Sequence, residues 1–219
     1  ISYLENLDNN VSDLYILGDL FEYWVGDDDP MDGLDDVRNA ITKTGKKINI
    51  WYMHGNRDFL ISNKICKDLK INLLSDPCVI NQSDIKILLM HGDTLCIDDI
   101  AYQEFRTMVR SKLWQEKMLE KSLKERLSIA DSLRAKSIAA NKDKGEEIMD
   151  ANYQEVQKMI DVYTPDIIIH GHTHRPNVHK HKNVTRYVLG DWYNSFFILS
   201  LENDKFTIKK GKLKQPVPK

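Results

Sequence analysis

Cysteine is scarce in this chain, and the few that occur form no metal-binding or disulfide pattern. There are three in 219 residues, Cys66, Cys78 and Cys96, and no Cys-x-x-Cys pair is present. An odd number of widely spaced cysteines does not build a disulfide scaffold or a cysteine zinc site. We therefore expect a protein of a reducing compartment, the cytoplasm.

Long hydrophobic runs and a large excess of one charge are also missing. No apolar stretch approaches the ~18 residues that a membrane-spanning helix needs. The formal net charge is −2, so a generally basic nucleic-acid binder is not expected. No basic segment followed by an apolar one opens the chain, and no signal peptide is therefore visible. Hydrophobic residues make up 42% and charged residues 29%, which is typical of a globular domain.

Short apolar runs that end in glycine-containing turns recur along the chain. They are rich in isoleucine and leucine and mostly lack alternation, as expected of strands buried on both faces. These runs cover residues 14–17, 48–53, 85–90 and 167–169. Helix-compatible segments, such as 35–44 and 62–69, separate them. Strands that alternate with helices predict an α/β fold.

The segment 99–163 differs from the rest, because it has no proline and Gly145 is its only glycine. Its large apolar side chains recur at the three-to-five spacing of helices: Phe105, Val109, Trp114, Met118, Leu123 and Leu127. We interpret it as a helical insertion, so that residues 1–98 and 164–219 form the α/β core. Near the C-terminus, 195–201 and 205–209 predict a hairpin, and the Lys/His-rich stretch around His179 and His181 is interpreted as a solvated loop.

Five polar side chains follow four of the predicted strands, in or beside glycine-containing turns. Open α/β sheets place their sites beyond the carboxyl ends of the strands, so these side chains are expected to converge. Carboxylate, amide oxygen and neutral imidazole, without thiolate, suit Mn²⁺, Fe²⁺ or Zn²⁺. Singly, each is more often a turn or packed residue than a ligand, but the ordered set is specific. The five are Asp19, Asn56, His91, His172 and His174.

These motifs resemble those of the calcineurin-like metallophosphoesterases over residues 14–192. The resemblance implies an α-β-β-α sandwich and two divalent metal ions. It implies that Asp19 bridges the ions, that Asn56, His91 and His172 complete one site, and that His174 serves the other. Asp58 and Asp93, beside the motifs, are candidates for orienting the ligating imidazoles.

The sequence departs from this family at the first motif, Asp-x-His, which occurs nowhere in the chain. In the family's order it should precede Asp19 by more than the eighteen residues present here. Because the chain also begins with Ile1 rather than methionine, we expect that the first strand of the fold is missing from this sequence.

A second departure concerns the chemistry, because Asn56-Arg57-Asp58 stands where many members have Asn-His. A histidine can protonate a leaving alkoxide, whereas arginine is never an acid near neutral pH. Arginine binds phosphate through a planar, permanently charged fork. Asn56 and Arg57 are therefore the candidate catalytic residues, and the leaving group is expected to be a phosphate, which needs no proton. That predicts cleavage of a pyrophosphate.

Longer strings are similar to the bacterial UDP-2,3-diacylglucosamine hydrolases, at residues 18–28, 54–60, 91–96 and 170–176. That resemblance implies hydrolysis of UDP-2,3-diacylglucosamine to UMP and 2,3-diacylglucosamine 1-phosphate in lipid A biosynthesis. It also implies two Mn²⁺ ions and a helical lid that holds the acyl chains.

The same resemblance implies a set of substrate contacts. Phe105 would line the acyl chamber. Ser137, Asn141 and Lys144 are spaced four and three apart, which places them on one helix face. Without the resemblance, Ser137 and Asn141 would be interpreted as ordinary helix surface. Asp99, Tyr102, Ser137, Asn141 and Lys144 would contact the sugar and its phosphate. The full set of expected substrate contacts is Asn56, Arg57, Asp99, Tyr102, Phe105, Ser137, Asn141, Lys144 and His172.

Two other functions stay open at this point. One is a soluble nucleotide pyrophosphatase or phosphodiesterase on the same scaffold. The other is a degenerate, non-catalytic fold, to which the missing Asp-x-His lends some weight. On the leading hypothesis we expect a cytoplasmic monomer that docks on the inner membrane through the basic, apolar insertion and the basic tail, without a nucleic-acid partner.

Overall fold

The computed structural model describes residues 1–30, 32–142, 145 and 148–213. It divides into two compact units. The first contains Ile1–Ser75 and Ala101–Gly145, and the second contains Asp76–Ile100 and Glu146–Lys219. No described helix is both long and apolar enough to cross a membrane.

The first unit contains a parallel sheet in which three described strands pair in the order β1-β2-β3. Parallel neighbours need a crossover connection, which α2 provides between β1 and β2 and α3 between β2 and β3. The Ser62 side chain caps α3 by accepting the Lys64 N–H. The elements are α1 (Ser2–Glu5), β1 (Asp13–Ile16), α2 (Asp35–Gly45), β2 (Asn49–Met53), α3 (Asn63–Asp68) and β3 (Asn72–Leu74).

The helical prediction for the insertion is confirmed over α4 (Ile100–Arg110), α5 (Lys112–Leu119) and α6 (Leu123–Lys142). Met118 of α5 is buried in the same apolar cluster as Ile50 and Tyr52 of β2. Helix α5 therefore packs on the core of this sheet. The predicted limits of the insertion, 99 and 163, remain a prediction.

The second unit contains a mixed sheet whose described strands follow the order β4-β5-β6-β8-β7. β5, β6 and β8 are parallel, while β4 and β7 pair antiparallel at the edges. A helix, α7 (Tyr153–Tyr163), buries Val156 against Leu88 and Ile168. The strands are β4 (Cys78–Gln82), β5 (Ile85–Met90), β6 (Ile167–His170), β7 (Asn177–His181) and β8 (Val184–Val188).

The solvated-loop interpretation of His179 and His181 is wrong, because both lie half-buried on β7. Exposed and half-buried side chains alternate over most of this edge strand. Because most of them are polar, as edge strands often are, the sequence resembles that of a loop. The predicted hairpin is confirmed as β9 (Ser195–Glu202) and β10 (Lys205–Lys212). Asn203 and Asp204 both adopt positive φ at its turn, as the favoured two-residue hairpin turns require.

Candidate functional site

In the first unit, the loops that follow β1 and β2 meet around the carboxylate of Asp19. The backbone N–H of Arg57 donates to Asp19 Oδ1 over 3.0 Å. The Arg57 guanidinium Nε lies 3.7 Å from Oδ2 of the same carboxylate. Asn56, half-buried, stands directly before Arg57. Because β1 and β2 are parallel neighbours, the structure brings Asp19 together with the Asn56-Arg57 segment at one sheet edge.

The carboxylate of Asp58 holds these two loops in place. It is fully buried and accepts backbone N–H groups from Leu20 over 2.7 Å and from Gly55 over 2.8 Å. The N–H groups of Asp19 and Phe21 also point to it, each over 3.3 Å. A carboxylate that accepts several backbone N–H groups is a strong local constraint, because hydrogen bonds to a charge are about twice as strong as neutral ones.

Gly55 is required where the two loops cross. A Cβ atom at this position would overlap with Oδ1 and the backbone nitrogen of Asp19, and neither can move without breaking the loop contacts. We expect Gly55→Ala to lower the free energy of unfolding by about 2–4 kcal/mol and to displace Asp19. Chemical denaturation measures the loss, with Gly145→Ala as a control because no atom of the described residues lies within 4 Å of its Cβ position. Equal stability of the two variants would contradict the close approach.

Three arginines of the helices α4 and α6 contact the loops of the first unit. From α4, Arg110 donates through Nη2 to the Gly55 carbonyl over 2.8 Å and lies over the Phe59 ring. From α6, Arg126 is buried; it pairs with both carboxylate oxygens of Asp28 and donates to the Val25 carbonyl over 2.6 Å. The helices thus contact the loop after β2 and the loop after β1.

Farther along α6, Arg134 lies 2.9 Å from Glu22, and Glu22 also pairs with Arg57 over 2.5 Å. Sequence reasoning assigned no role to Glu22 or to these helix arginines. Their partners are distant in the chain, so no local motif connects them. The one signal was that Arg126 and Arg134 are eight residues apart, which places them on the same side of a helix.

In the second unit, parallel neighbours β5 and β6 bring the predicted histidines together. His91 follows β5, and His172 and His174 follow β6. The rings of His91 and His172 meet edge to face with centroids 5.1 Å apart. His174 Nδ1 lies 3.5 Å from Asp191 Oδ2. His172 and His174 both adopt the left-handed backbone conformation, which turns their side chains out of the strand direction.

The donor chemistry of these residues fits a divalent metal ion. Part of the His172 side chain reaches solvent, but most of the ring is packed among protein atoms. This desolvation, followed by the nearby His91, lowers the pKa of His172 to about 3. The imidazole is therefore neutral at physiological pH, the form that binds metals. Within the described parts of the chain, however, no group of three or more His, Cys, Asp or Glu side chains is already arranged around one ion.

His170, just before these histidines, is a buried packing residue. Its Nε2 lies 2.9 Å from Arg186 Nη1, and its Nδ1 lies 3.1 Å from the Gly171 carbonyl. A guanidinium can only donate, so Nε2 accepts and the proton is on Nδ1. Burial and then the Arg186 charge lower the pKa of His170 to about 3, which keeps the ring neutral.

This neutral histidine should make stability depend on pH. Between about pH 6.5 and 3 the unfolded chain binds a proton at position 170 and the folded chain does not, so acid destabilises the fold. We expect the His170 contribution to fall by about 1 kcal/mol between about pH 7 and 5.5. Denaturant unfolding of the protein and of His170→Gln at both values measures it. A variant that loses stability as steeply as the parent would contradict this assignment.

The Cys96 thiol does not contribute to this chemistry. Cys96 is buried beside the motif of His91, and burial, followed by the charge of Asp93, raises its pKa to about 12. A thiol is therefore present rather than the thiolate that metals require. This agrees with a site composed of oxygen and nitrogen donors.

The residues predicted to contact substrate lie at separate places in the two units. Asp99, in the second unit, is buried just before α4. Tyr102 and Phe105, in the first unit, are half-buried one turn apart on α4, and Ser137 is exposed on α6. The side chain of Asn141 and all of Lys144 lie outside the described residues.

Comparison with known proteins shows which family carries these motifs. The family model described as calcineurin-like phosphoesterase matches residues 2–176. A protein of Haemophilus influenzae (strain PittGG), curated as UDP-2,3-diacylglucosamine hydrolase, is 42% identical over 197 residues, 90% of this chain and 83% of its own. One of Vibrio vulnificus (strain CMCP6) with the same name is 38% identical over 225 residues, 96% of this chain and 88% of its own. The predicted fold class and resemblance are confirmed.

Proposed function

Because this chain belongs to the calcineurin-like phosphoesterase family, we propose that it is a metal-dependent hydrolase that cleaves the pyrophosphate bond of UDP-2,3-diacylglucosamine. The products would be UMP and 2,3-diacylglucosamine 1-phosphate, in lipid A biosynthesis. The names of its curated relatives support this substrate.

The observation that carries the proposal is the position of Arg57. Its guanidinium lies beside the Asp19 carboxylate, with Nε 3.7 Å from Oδ2, and keeps 29% of its side-chain surface exposed. A half-exposed arginine next to a candidate metal ligand can bind a phosphate that approaches from solvent. It cannot protonate a leaving group. The arrangement suits a leaving phosphate, as pyrophosphate hydrolysis produces, better than a leaving alcohol.

In this proposal the metal ligands are the predicted oxygen donors and the predicted histidines. Asp19 and Asn56 would supply oxygen donors, and His91, His172 and His174 nitrogen donors. When bound, two divalent ions would polarise the phosphoryl oxygens and make water nucleophilic at neutral pH. Donors of this kind without thiolate suit Mn²⁺, which we take as the metal. Arg57 and Asn56 would orient the phosphoryl group and offset its developing negative charge.

The lipid part of the proposed substrate is supported by the helices α4, α5 and α6. Tyr102 and Phe105 lie on one face of α4, where Phe105 would contact an acyl chain. Asp99, Tyr102, Ser137 and His172 would contact the sugar and its phosphate. Five large apolar side chains of these helices are exposed, with exposures of 46–68%, and exposed apolar side chains of this kind can contact lipid. They are Ile100, Met108, Leu113, Leu119 and Ile138.

From this surface we infer peripheral contact of a cytoplasmic monomer with the inner membrane. The basic residues of the same helices would meet anionic headgroups. Release of UMP from UDP-2,3-diacylglucosamine and from deacylated UDP-glucosamine tests the lipid requirement. We expect kcat/KM to be at least about 10-fold lower without acyl chains, because remote binding energy is then lost. Equal turnover would favour a soluble nucleotide pyrophosphatase, and no turnover of either would favour a non-catalytic fold.

A further inference from the structure

Two arginines from different elements contact the same carboxylate, and one of them is the candidate catalytic residue Arg57. Arg57 Nη1 lies 2.5 Å from Glu22 Oε2, and Arg134 Nη1 lies 2.9 Å from the same oxygen. All three belong to the first unit. Glu22 is in the loop after β1, Arg57 in the loop after β2 and Arg134 on α6. The carboxylate therefore connects both loops to the helical segment.

The contacts of Arg57 fix the orientation of its planar group. Nε faces Asp19 Oδ2 over 3.7 Å, and Nη1 faces Glu22 Oε2. A guanidinium contacted at two corners by two carboxylates has little freedom to rotate. Each of the three side chains of the Glu22 cluster, Glu22, Arg57 and Arg134, keeps 29–39% of its surface exposed. A phosphate can therefore reach Arg57, and a solvent-exposed pair of this kind adds little to stability.

We propose that Glu22 is a positioning residue that aims Arg57 at the substrate diphosphate, and that Arg134 acts through Glu22. This rests on the proposed function, in which Arg57 binds phosphate. A pre-oriented guanidinium loses less conformational entropy when phosphate binds, and correct orientation matters most as charge develops. Arg134, on α6, attracts the Glu22 carboxylate. This attraction keeps the carboxylate in the position in which Glu22 contacts Arg57.

The same geometry would also allow Glu22 to block the phosphate position, and that role predicts the opposite effect of its removal on substrate binding. If Glu22 merely occupied the phosphate position, its removal would free Arg57 and strengthen substrate binding. If it positions Arg57, Glu22→Ala should lower kcat/KM by about 10-fold, the low end of the effect of residues that orient a functional group. Glu22→Gln should stay within about 3-fold of the parent, because an amide oxygen still accepts from both arginines. A lower KM for Glu22→Ala, or equal losses for Gln and Ala, would overturn the proposal.

A double-mutant cycle tests whether Arg134 works through Glu22. Arg134→Ala should lower kcat/KM by about 3-fold in the parent and leave the Glu22→Ala variant unchanged, because residues that act as a unit are non-additive. Additive losses would mean that Arg134 acts independently and would contradict this part. Lys43→Ala, which removes one positive charge from an exposed position of α2, is the matched control and should match the parent.

The substrates are chosen so that this proposal and the proposed function can fail separately. Each variant is assayed as the full-length, Mn²⁺-loaded protein with UDP-2,3-diacylglucosamine and with bis(p-nitrophenyl) phosphate, which needs only phosphoesterase chemistry. A parent that cleaves only the second compound refutes the lipid substrate, and the Glu22 series is then decided on that compound. Mn²⁺ content and thermal midpoint should be unchanged in all variants. If the loss of activity were accompanied by a loss of bound Mn²⁺ or a lower thermal midpoint, Glu22 would have a structural role and the positioning role would be overturned.

Discussion

Replacing Asp19 with alanine is expected to lower the rate of pyrophosphate hydrolysis by at least about 10³-fold, more than the loss of one electrostatic donor costs. Asp19 is the carboxylate on which the loops after β1 and β2 converge, with the Arg57 N–H on Oδ1 and the guanidinium beside Oδ2. Its removal takes away the proposed shared metal ligand and one anchor of Arg57. Initial rates with UDP-2,3-diacylglucosamine, together with bound Mn²⁺ by elemental analysis, measure both effects.

Asp19 has a left-handed backbone conformation, with φ of 53°, in which alanine is strained and asparagine is tolerated. Asp19→Asn therefore separates loss of charge from loss of fold. We expect it to retain the parent's thermal midpoint closely and still lose most activity and bound metal. Asp32→Ala, an exposed carboxylate in the turn before α2, is the control and should be fully active. An active Asp19→Asn with normal metal content would refute the role of Asp19.

Replacing Asp58 with alanine is expected to destabilise the fold more than any surface substitution, by about 3–5 kcal/mol. Four backbone N–H groups, from Asp19, Leu20, Phe21 and Gly55, converge on this fully buried carboxylate. Without it, buried donors lose their acceptor, and each such loss costs about 1–3 kcal/mol. Both loops should then become mobile, and activity should be lost at temperatures where much of the protein remains folded.

Denaturant unfolding of Asp58→Ala and Asp58→Asn tests this account. Asparagine keeps one acceptor oxygen but not the charge, so its loss should be intermediate. Asp68→Ala, at an exposed position at the end of α3, should change the free energy of unfolding by no more than about 0.5 kcal/mol. If Asp58→Ala were as stable as Asp68→Ala, the role of Asp58 in holding the loops would be wrong.

The strands that position the site were predictable from sequence, because their apolar runs are short, rich in isoleucine and closed by turns. The run 85–90 coincides with β5, and 48–53 contains β2 (Asn49–Met53). The residues after these strands could be named for the same reason, since the carboxyl ends of neighbouring parallel strands share an edge. The edge strand β7 was missed, because four of its five residues are polar and they include lysine and histidine.

The contacts among motif loops and helices could not be predicted from one sequence. Glu22 lay inside a recognised string without a role, and Arg134 is 112 residues further along the chain. Their pairing depends on how α6 packs, which periodicity alone does not determine. Asp58 was expected to orient an imidazole, whereas the structure shows it accepting backbone N–H groups of both loops. Side-chain type indicated the chemistry, and tertiary packing decided the partner.

The most direct test of the proposed function is UMP release from UDP-2,3-diacylglucosamine by the full-length protein, first stripped of metal and then supplied with Mn²⁺. The prediction is no release in the stripped state and, after Mn²⁺ is restored, UMP and 2,3-diacylglucosamine 1-phosphate in equal amounts. Absence of UMP in the Mn²⁺-loaded protein, or release that is the same with and without metal, would contradict it.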